Sequence, residues 1–503
     1  MTKYPLGILP VLRKSCLFIC GLILVLFILF GFSSFAEPDT IHKTNHELAD
    51  SINSLISKYK LSKAKIGIKV VSLSDSAVIY EKNSQTALMP ASNLKLVTTG
   101  AALCLLGEEF KYETTFYRQG PIIDGILKGN LIVKSNGNPN ISGRFHDGNT
   151  TAVFEEWAKV LRSLGVSKIQ GSIIIDDTSF DREYISSSWP SEQLSYWYCA
   201  PVSGVAFNDN CIDITVYFDK DKDEVAYKLE PDTKYVKIIN ECESTTRKSS
   251  HVIDIRRYNN SNNIVIKGKF HIHEEPYKES ITVENPPLYF GTVLKETFVH
   301  KKGIVVVGEV KLADKTYDAK EDHLIELASD KTGLMETINV TNKNSQNFYS
   351  EQILKTLGAH FNSKGSFKSG ASQIEKFLRE RKILTNGQAF SQVDGSGLSR
   401  ENKISPETIV NLLVYINKQK YGKQFIETLC ANGYDGSLKN RINGKGLSKT
   451  VWGKTGYISG VCALSGYITN HKNYAFSIIL NNFSSLSDAR KFQDELIKLL
   501  LKD

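Results

Sequence analysis

Ser92 and Lys95 stand three residues apart in the stretch PASNLKLVTTGAAL. On a helix that spacing puts both side chains on one face. A lysine among Leu94, Leu96, Val97 and Ala101 loses hydration, which lowers its pKa. Such a lysine can take the serine proton near neutral pH and so make the hydroxyl a nucleophile. A helix cap followed by a lysine whose stem lies on apolar surface accounts for the same residues without chemistry. Ser57–Lys60 and Ser62–Lys65 repeat the spacing outside an apolar helical setting, so the pair needs partners.

An acyl-transfer site also needs groups that move the leaving-group proton and donors for the oxyanion. TNKNSQNFYSEQILKTLG offers Ser345 and Asn347 at the foot of an apolar-periodic helix, where Asn344 or Ser345 could equally serve as a cap. VWGKTGYISGVCALSGYIT offers Lys454-Thr455-Gly456 at the end of a predicted strand. There Lys454 brings positive charge, Thr455 a hydroxyl, and Gly456 room for a peptide to add along the strand. The same tripeptide recurs as Lys331-Thr332-Gly333. That copy precedes Ser345 and leads into a helix, so the reading sets it aside for want of strand context.

The elements that must position these groups follow from periodicity. His46–Leu61 reads as an amphipathic helix, and Ile66–Ser72 and Ala77–Tyr80 as strands. At the other end Lys449–Lys454, Val461–Thr469 and Tyr474–Asn481 read as three strands, followed by a helix from Leu486 to Leu501. Strands near both termini with flanking helices imply an α+β domain built from both ends of the chain. Between them, from Lys111 to Ala313, short strands alternate with turn stretches such as SNGNPNISG and FDKDKDE. From about Glu321 the pattern turns helical, with 334–357 as the main element. The expected organisation is an export signal at 1–36, a first domain part at 37–110, a β-rich insertion of two subdomains at 111–313, and the second domain part at 314–503.

With 503 residues, 41% hydrophobic and 23% charged, the chain has material for two or three ordinary cores. A net charge of +8 without a basic stripe interleaved with aromatics argues against nucleic acid. Lys3, Arg13 and Lys14 precede the apolar run CLFICGLILVLFILFGF and small residues before a cleavage point after Ala36. The expected location is therefore exported, in a periplasm or at the cell surface, with no stable membrane insertion once the signal is removed. Retention as an anchor is the alternative. Six cysteines remain beyond the signal; Cys199 and Cys211 are the nearest pair, and no connectivity follows. His271-x-His273 would put two imidazoles on one strand face, too few for zinc. No cofactor or metal is expected.

S-x-x-K, S-x-N and K-T-G in this order form the signature of penicillin-recognising serine enzymes. With NGNPNIS, GSIIIDDTSFD, APVSGVAFNDN, DGSGLSRENKISP and GYDGSLKNRI, the chain resembles the class C low-molecular-mass penicillin-binding proteins. These are D-alanyl-D-alanine carboxypeptidase/endopeptidases of peptidoglycan. The resemblance covers nearly the whole mature length and implies a β-lactamase/transpeptidase-like domain carrying a large insertion. It implies Ser92 as the acylated nucleophile, Lys95 as its proton acceptor, and Ser345 with Lys454 as the relay to the leaving D-alanine. Asn347 would hold the substrate backbone, and Thr455 its carboxylate beside Gly456. The main-chain N–H groups of Ser92 and Tyr457 would form the oxyanion hole. Arg400 would meet a carboxylate on the stem-peptide side chain and Glu192 a free amine. Tyr457 departs from the Thr or Ser usual after K-T-G in this family. The partners implied are stem peptides and β-lactams. A β-lactamase or esterase on the same scaffold, and a non-catalytic peptidoglycan-binding protein, are the alternatives. Oligomeric state is not legible.

Overall fold

The computed structural model describes residues 38–502, with side chains from Glu47 onward. The signal expected at 1–36 lies outside the described residues. The helix Pro38–Lys58 starts earlier than the expected His46, and residues from Ile52 to the C-terminus form one unit by their contacts.

A six-stranded antiparallel sheet joins the two ends of the chain. Its order runs 430–431, 451–458, 461–469, 473–481, 65–72, 78–82. The strand Lys65–Ser72 pairs with Asn473–Asn481 over its full length, Lys65 opposite Asn481 and Ser72 opposite Tyr474. Both strands are buried beyond their first residue, without the alternation of a one-sided sheet, as where both faces are covered. Ile68, Val70, Leu464, Ile478 and Leu480 are all fully buried.

The helix Leu94–Leu106 is buried on every side over its first ten residues, with Leu94, Leu96, Val97, Ala101, Ala102 and Leu103 all at 0% exposure and Lys95, Thr98 and Thr99 buried among them. A helix of that kind belongs in the middle of a core rather than on a surface. It is buried in one hydrophobic cluster with residues of the helices 334–343, 347–361 and 406–417.

The middle of the chain builds other sheets: five strands in the order 310–312, 173–176, 131–135, 111–119, 324–333; four short strands; and two three-stranded sheets. They share a second cluster around Phe116, Phe154, Trp157, Phe207 and Phe290. The architecture is α+β with a β-rich middle.

Several expectations change. The segment from Glu321 is not helical: Leu324–Gly333 is a ten-residue strand paired with Lys111–Gln119. Its backbone completes a sheet edge that sequence periodicity does not report. Lys331-Thr332-Gly333 therefore does have a strand setting, in the middle sheet. The element read as 334–357 is two helices, Leu334–Lys343 and Asn347–Phe361, broken at Ser345 with φ 56°. Lys454-Thr455-Gly456 lies inside the strand Val451–Ile458, not at its end. His271 closes its strand and His273 falls in the turn beyond, so they share no strand face. All six cysteines from Cys104 to Cys462 are free thiols; Cys199 and Cys211 sit in different apolar clusters.

Candidate active site

Ser92 occupies a short 3-10 turn, Ala91–Asn93, that leads into the helix Leu94–Leu106. The turn is held from two sides. Asn93 Nδ2 donates to the Lys454 carbonyl at 2.8 Å, which ties the turn to the strand 451–458. On the other side Gly397, at φ 84°, lies so close that a Cβ there would come within 1.9 Å of the Ala91 carbonyl oxygen. Only glycine fits that approach.

Lys95 is completely buried. Its Nζ donates to Ser92 Oγ at 3.0 Å, Asn347 Oδ1 at 2.7 Å and the Ser396 carbonyl at 3.0 Å. Burial, joined by the positive charge of Lys454, pulls its pKa well below the ordinary lysine value, against the opposing pull of Glu351 and Asp394. A lysine so placed can hold a neutral amine against a hydroxyl, the geometry a general base requires.

Lys454 comes from the motif strand and is 1% exposed. It donates to Ser345 Oγ at 2.8 Å and to the Thr455 carbonyl at 2.9 Å, and burial lowers its pKa to about 8. Ser345 meets it because the left-handed backbone at that residue breaks the two helices and turns its hydroxyl into the cleft. Asn347 begins the next helix. Its oxygen is on Lys95 while its Nδ2 donates to the Tyr198 carbonyl at 2.8 Å, so the β-rich middle contributes a backbone group here.

Gly456 is the closest point of the strand to the nucleophile: a Cβ there would lie 2.9 Å from Pro90 O and 3.0 Å from Ser92 N. The two-residue strand Cys430–Ala431 pairs only with Gly453 and Trp452. Beyond it the edge of Lys454–Ile458 has no strand partner among the described residues. Thr455 Oγ1 donates to Ser437 Oγ at 2.7 Å, and Tyr457 is 51% exposed.

The structure thus brings Ser92, Lys95, Ser345, Asn347, Lys454 and Gly456 into one cleft. Arg400 is exposed and donates to the Ser459 carbonyl at 2.9 Å, which holds it beside the end of the motif strand. Glu192 lies on an exposed turn, Ser191–Gln193, and is not hydrogen-bonded to any motif residue. Its charge acts on Tyr198 and Cys199, whose pKa values it helps to raise behind burial.

Sequence reasoning missed the support beneath Lys95. Glu351, one turn after Asn347 and fully buried, accepts from the N–H groups of Gly395 and Ser396. Its carboxyl is pushed up to about 8, first by burial and then by Asp394. Asp394, also buried, accepts from Gly397 N, Ser399 N, Asn402 Nδ2 and Trp189 Nε1. Together they fix the 394–399 loop whose Ser396 carbonyl receives Lys95. An acid four residues after Asn347 in an apolar helix was the available signal.

A fold of this kind, with two buried lysines facing two serines, defines a serine acyl-transfer enzyme of the penicillin-recognising class. The backbone is similar to the crystal structure of penicillin binding protein 4 (dacB) from Haemophilus influenzae: TM-score 0.76, 24% identity, 89% of this chain and 99% of that one. In sequence the chain is 28% identical over 458 residues to a D-alanyl-D-alanine carboxypeptidase of Actinomadura sp. (strain R39), covering 87% of this chain and 81% of that protein. It is 24% identical over 429 residues to the D-alanyl-D-alanine carboxypeptidase DacB of Haemophilus influenzae, 84% of this chain and 86% of that one. Residues 48–502 match the D-Ala-D-Ala carboxypeptidase 3 (S13) family, and the chain belongs to it.

Proposed function

We propose that the protein is an exported serine peptidase that removes D-alanine from peptidoglycan stem peptides and opens D-alanine cross-links through an ester on Ser92, and that β-lactams acylate the same oxygen. The observation that carries this reading is the pairing of Lys95 with Ser92 and Lys454 with Ser345, both lysines buried. Two cations cannot both be retained cheaply at such depth, so one amine is neutral while the other stays charged.

In the forward step Ser92 Oγ attacks the carbonyl and its proton passes to Lys95 Nζ. The tetrahedral oxyanion is received by the N–H groups of Ser92 and Tyr457. The C–N bond breaks as Ser345, backed by Lys454, protonates the leaving amine, and water then hydrolyses the ester. The unpaired edge at Lys454–Ile458 suits a substrate that adds as a strand. Asn347 and Thr455 contact its backbone and carboxylate, and Arg400 its stem side chain; for Glu192 the geometry offers only proximity to the Tyr198 segment. The β-rich middle reads as a module inserted after the part 37–110, and the strand Leu324–Gly333, paired with Lys111–Gln119, belongs with its sheet.

The β-lactamase alternative needs a carboxylate free to activate water. Glu351 commits its oxygens to Gly395 and Ser396, which favours a long-lived acyl-enzyme.

The test is mass spectrometry after brief exposure to benzylpenicillin, beside Ser92→Ala. A stable adduct on the Ser92 peptide, absent from the variant, is expected. Rapid penicillin hydrolysis without an adduct would move the reading to a β-lactamase. A folded protein with neither adduct nor turnover would overturn the assignment of Ser92.

A further inference from the structure

A cavity of about 400 Å³ is bordered by the segment 183–188, the helix Phe367–Glu380 and residues 390–393, which lead into the loop that holds Lys95. None of the motif residues lines it, nor do Arg400 and Glu192. Phe367, Phe390 and Val393 give it an apolar lining, and its charge is negative: Glu183, Glu375 and Glu401 against Lys368. Glu375 is paired with Arg379 at 2.7 Å. Glu183 and Glu401 are exposed and have no cationic partner among the described residues, and Lys368 is ion-paired with neither. The polar group that gives the cavity a direction is Gln392, only 9% exposed. Its Nε2 donates inward, to Thr98 Oγ1 at 3.0 Å and the Asp394 carbonyl at 3.1 Å. Its Oε1 is buried and has no donor among the described residues. A buried acceptor without a donor is rare, because it forfeits its bond to water.

Such a lining matches a cation that donates hydrogen bonds. A primary ammonium has three N–H groups, enough to reach an amide oxygen and face carboxylates at once, and its carbon chain suits walls of phenylalanine. We propose that this cavity binds a primary ammonium on an apolar chain, with Gln392 Oε1 as its acceptor and Glu183 and Glu401 as its charge partners, and that its occupancy steadies Lys95. The link runs through one carboxamide. Gln392 ties the loop to Thr98, three residues beyond Lys95 on the same helix. Thr98 Oγ1 donates on to the Gly395 carbonyl at 2.7 Å, and the next carbonyl, of Ser396, receives Lys95 Nζ. Turned over, the carboxamide would set its oxygen against the Asp394 carbonyl and lose that contact. An ammonium on Oε1 holds it in the observed sense and so favours the loop that orients Lys95. The site goes beyond the peptidase reading, since it shares no lining residue with the acylation machinery.

Isothermal titration at fixed ionic strength compares cadaverine, Nα-acetyl-lysine carboxamide and tetramethylammonium, which carries the charge without an N–H. The first two are expected to bind saturably at one site and the third not. Gln392→Leu is expected to weaken binding about tenfold, the worth of one charge-assisted hydrogen bond. The rim variant Glu183→Gln/Glu401→Gln is expected to weaken it about fivefold, as for exposed ion pairs. The second readout is the rate of penicilloylation at Ser92. Benzylpenicillin carries no free amine, so an added amine does not compete with it for a substrate contact. Cadaverine is expected to raise that rate about fivefold in wild type, the low end of ordinary coupling between sites, and not in Gln392→Leu. Tighter binding of the lysine derivative assigns the site to peptide side chains and tighter binding of cadaverine to free diamines; both support it. Absence of saturable binding, equal binding of tetramethylammonium, or affinity unchanged in both variants overturns the site. Binding that leaves the rate unchanged overturns the link to Lys95. Wild type that binds amines but forms no penicilloyl adduct overturns the peptidase reading and leaves the site standing. Labelling at Ser92 verifies that each variant is folded, and where Gln392→Leu fails that check the rim variant decides.

Discussion

Lys-Thr-Gly is written twice in this chain, each time in a strand. At 331–333 the strand belongs to the five-stranded middle sheet, and Lys331 is half exposed and ion-paired with Glu113 at 2.9 Å. That neighbour raises its pKa. At 454–456 the lysine is 1% exposed, faces a serine hydroxyl, and is lowered to about 8. The same three residues therefore yield a solvated ion pair in one place and a buried amine hydrogen-bonded to a serine hydroxyl in the other. What differs is burial and the neighbour, one a carboxylate and one a hydroxyl.

The contrast can be broken or sharpened by substitution. The largest effect is expected outside the tripeptides, because either lysine matters only if Ser92 is acylated. Ser92→Ala should lose on the order of 10⁴-fold or more in peptide hydrolysis and form no penicilloyl adduct by mass spectrometry. Lys454→Met should lower kcat/KM by roughly 10² to 10³-fold, as for removal of a preorganised charge at the reacting centre. Its Tm should hold, since an apolar chain of similar length removes a costly buried charge. Lys331→Met should leave kcat/KM unchanged and move stability by no more than about 0.5 kcal/mol. Equal losses at both lysines would erase the distinction.

Gly456→Ala probes close approach. A Cβ 2.9–3.0 Å from Pro90 O and Ser92 N must push the strand from the nucleophile, and about 10 to 100-fold in kcat/KM is expected from so small a misplacement. The corresponding Gly333 has open space apart from the flexible Glu336 carboxylate at 3.0 Å, so Gly333→Ala should leave the rate alone.

The smallest effect is on pH dependence. The proposed mechanism requires Lys95 neutral and Lys454 charged, so kcat/KM should rise as Lys95 loses its proton and fall through about pH 8 as Lys454 does. The apparent values belong to the coupled pair. Stability has its own sign. Lys454 titrates near 8 in the fold against 10.5 as the ordinary value, so between those values the unfolded chain binds more protons and stability increases with pH. Lys454→Met should remove that increase in denaturant titrations, whereas Lys331→Met should not.

Much of the site was legible. Ser92 and Lys95 are one helical turn apart, and local geometry suffices to join them. Ser345 and Asn347 were legible as the foot of a helix, but not the break at Ser345, because a left-handed serine carries no periodic signal. Glu351 and Asp394 were not singled out, since their role is to satisfy the N–H groups of a loop folded over from elsewhere in the chain. Tyr198 was beyond reach for a simpler reason: it contributes a carbonyl, and every residue has one.

The sequence by itself determined which groups are present and which local elements carry them: a serine and a lysine on one apolar helix, and a lysine and a glycine on one strand. Those follow from short-range periodicity and spacing, which any stretch of chain expresses wherever it lies. Only the tertiary structure decided which Lys-Thr-Gly meets a serine hydroxyl and which acids hold the loop under Lys95. Those depend on dehydration and on partners up to several hundred residues away, such as Asn93 on the Lys454 carbonyl 361 positions later. Burial sets the proton affinity of a lysine, and burial belongs to the fold rather than to any segment of it.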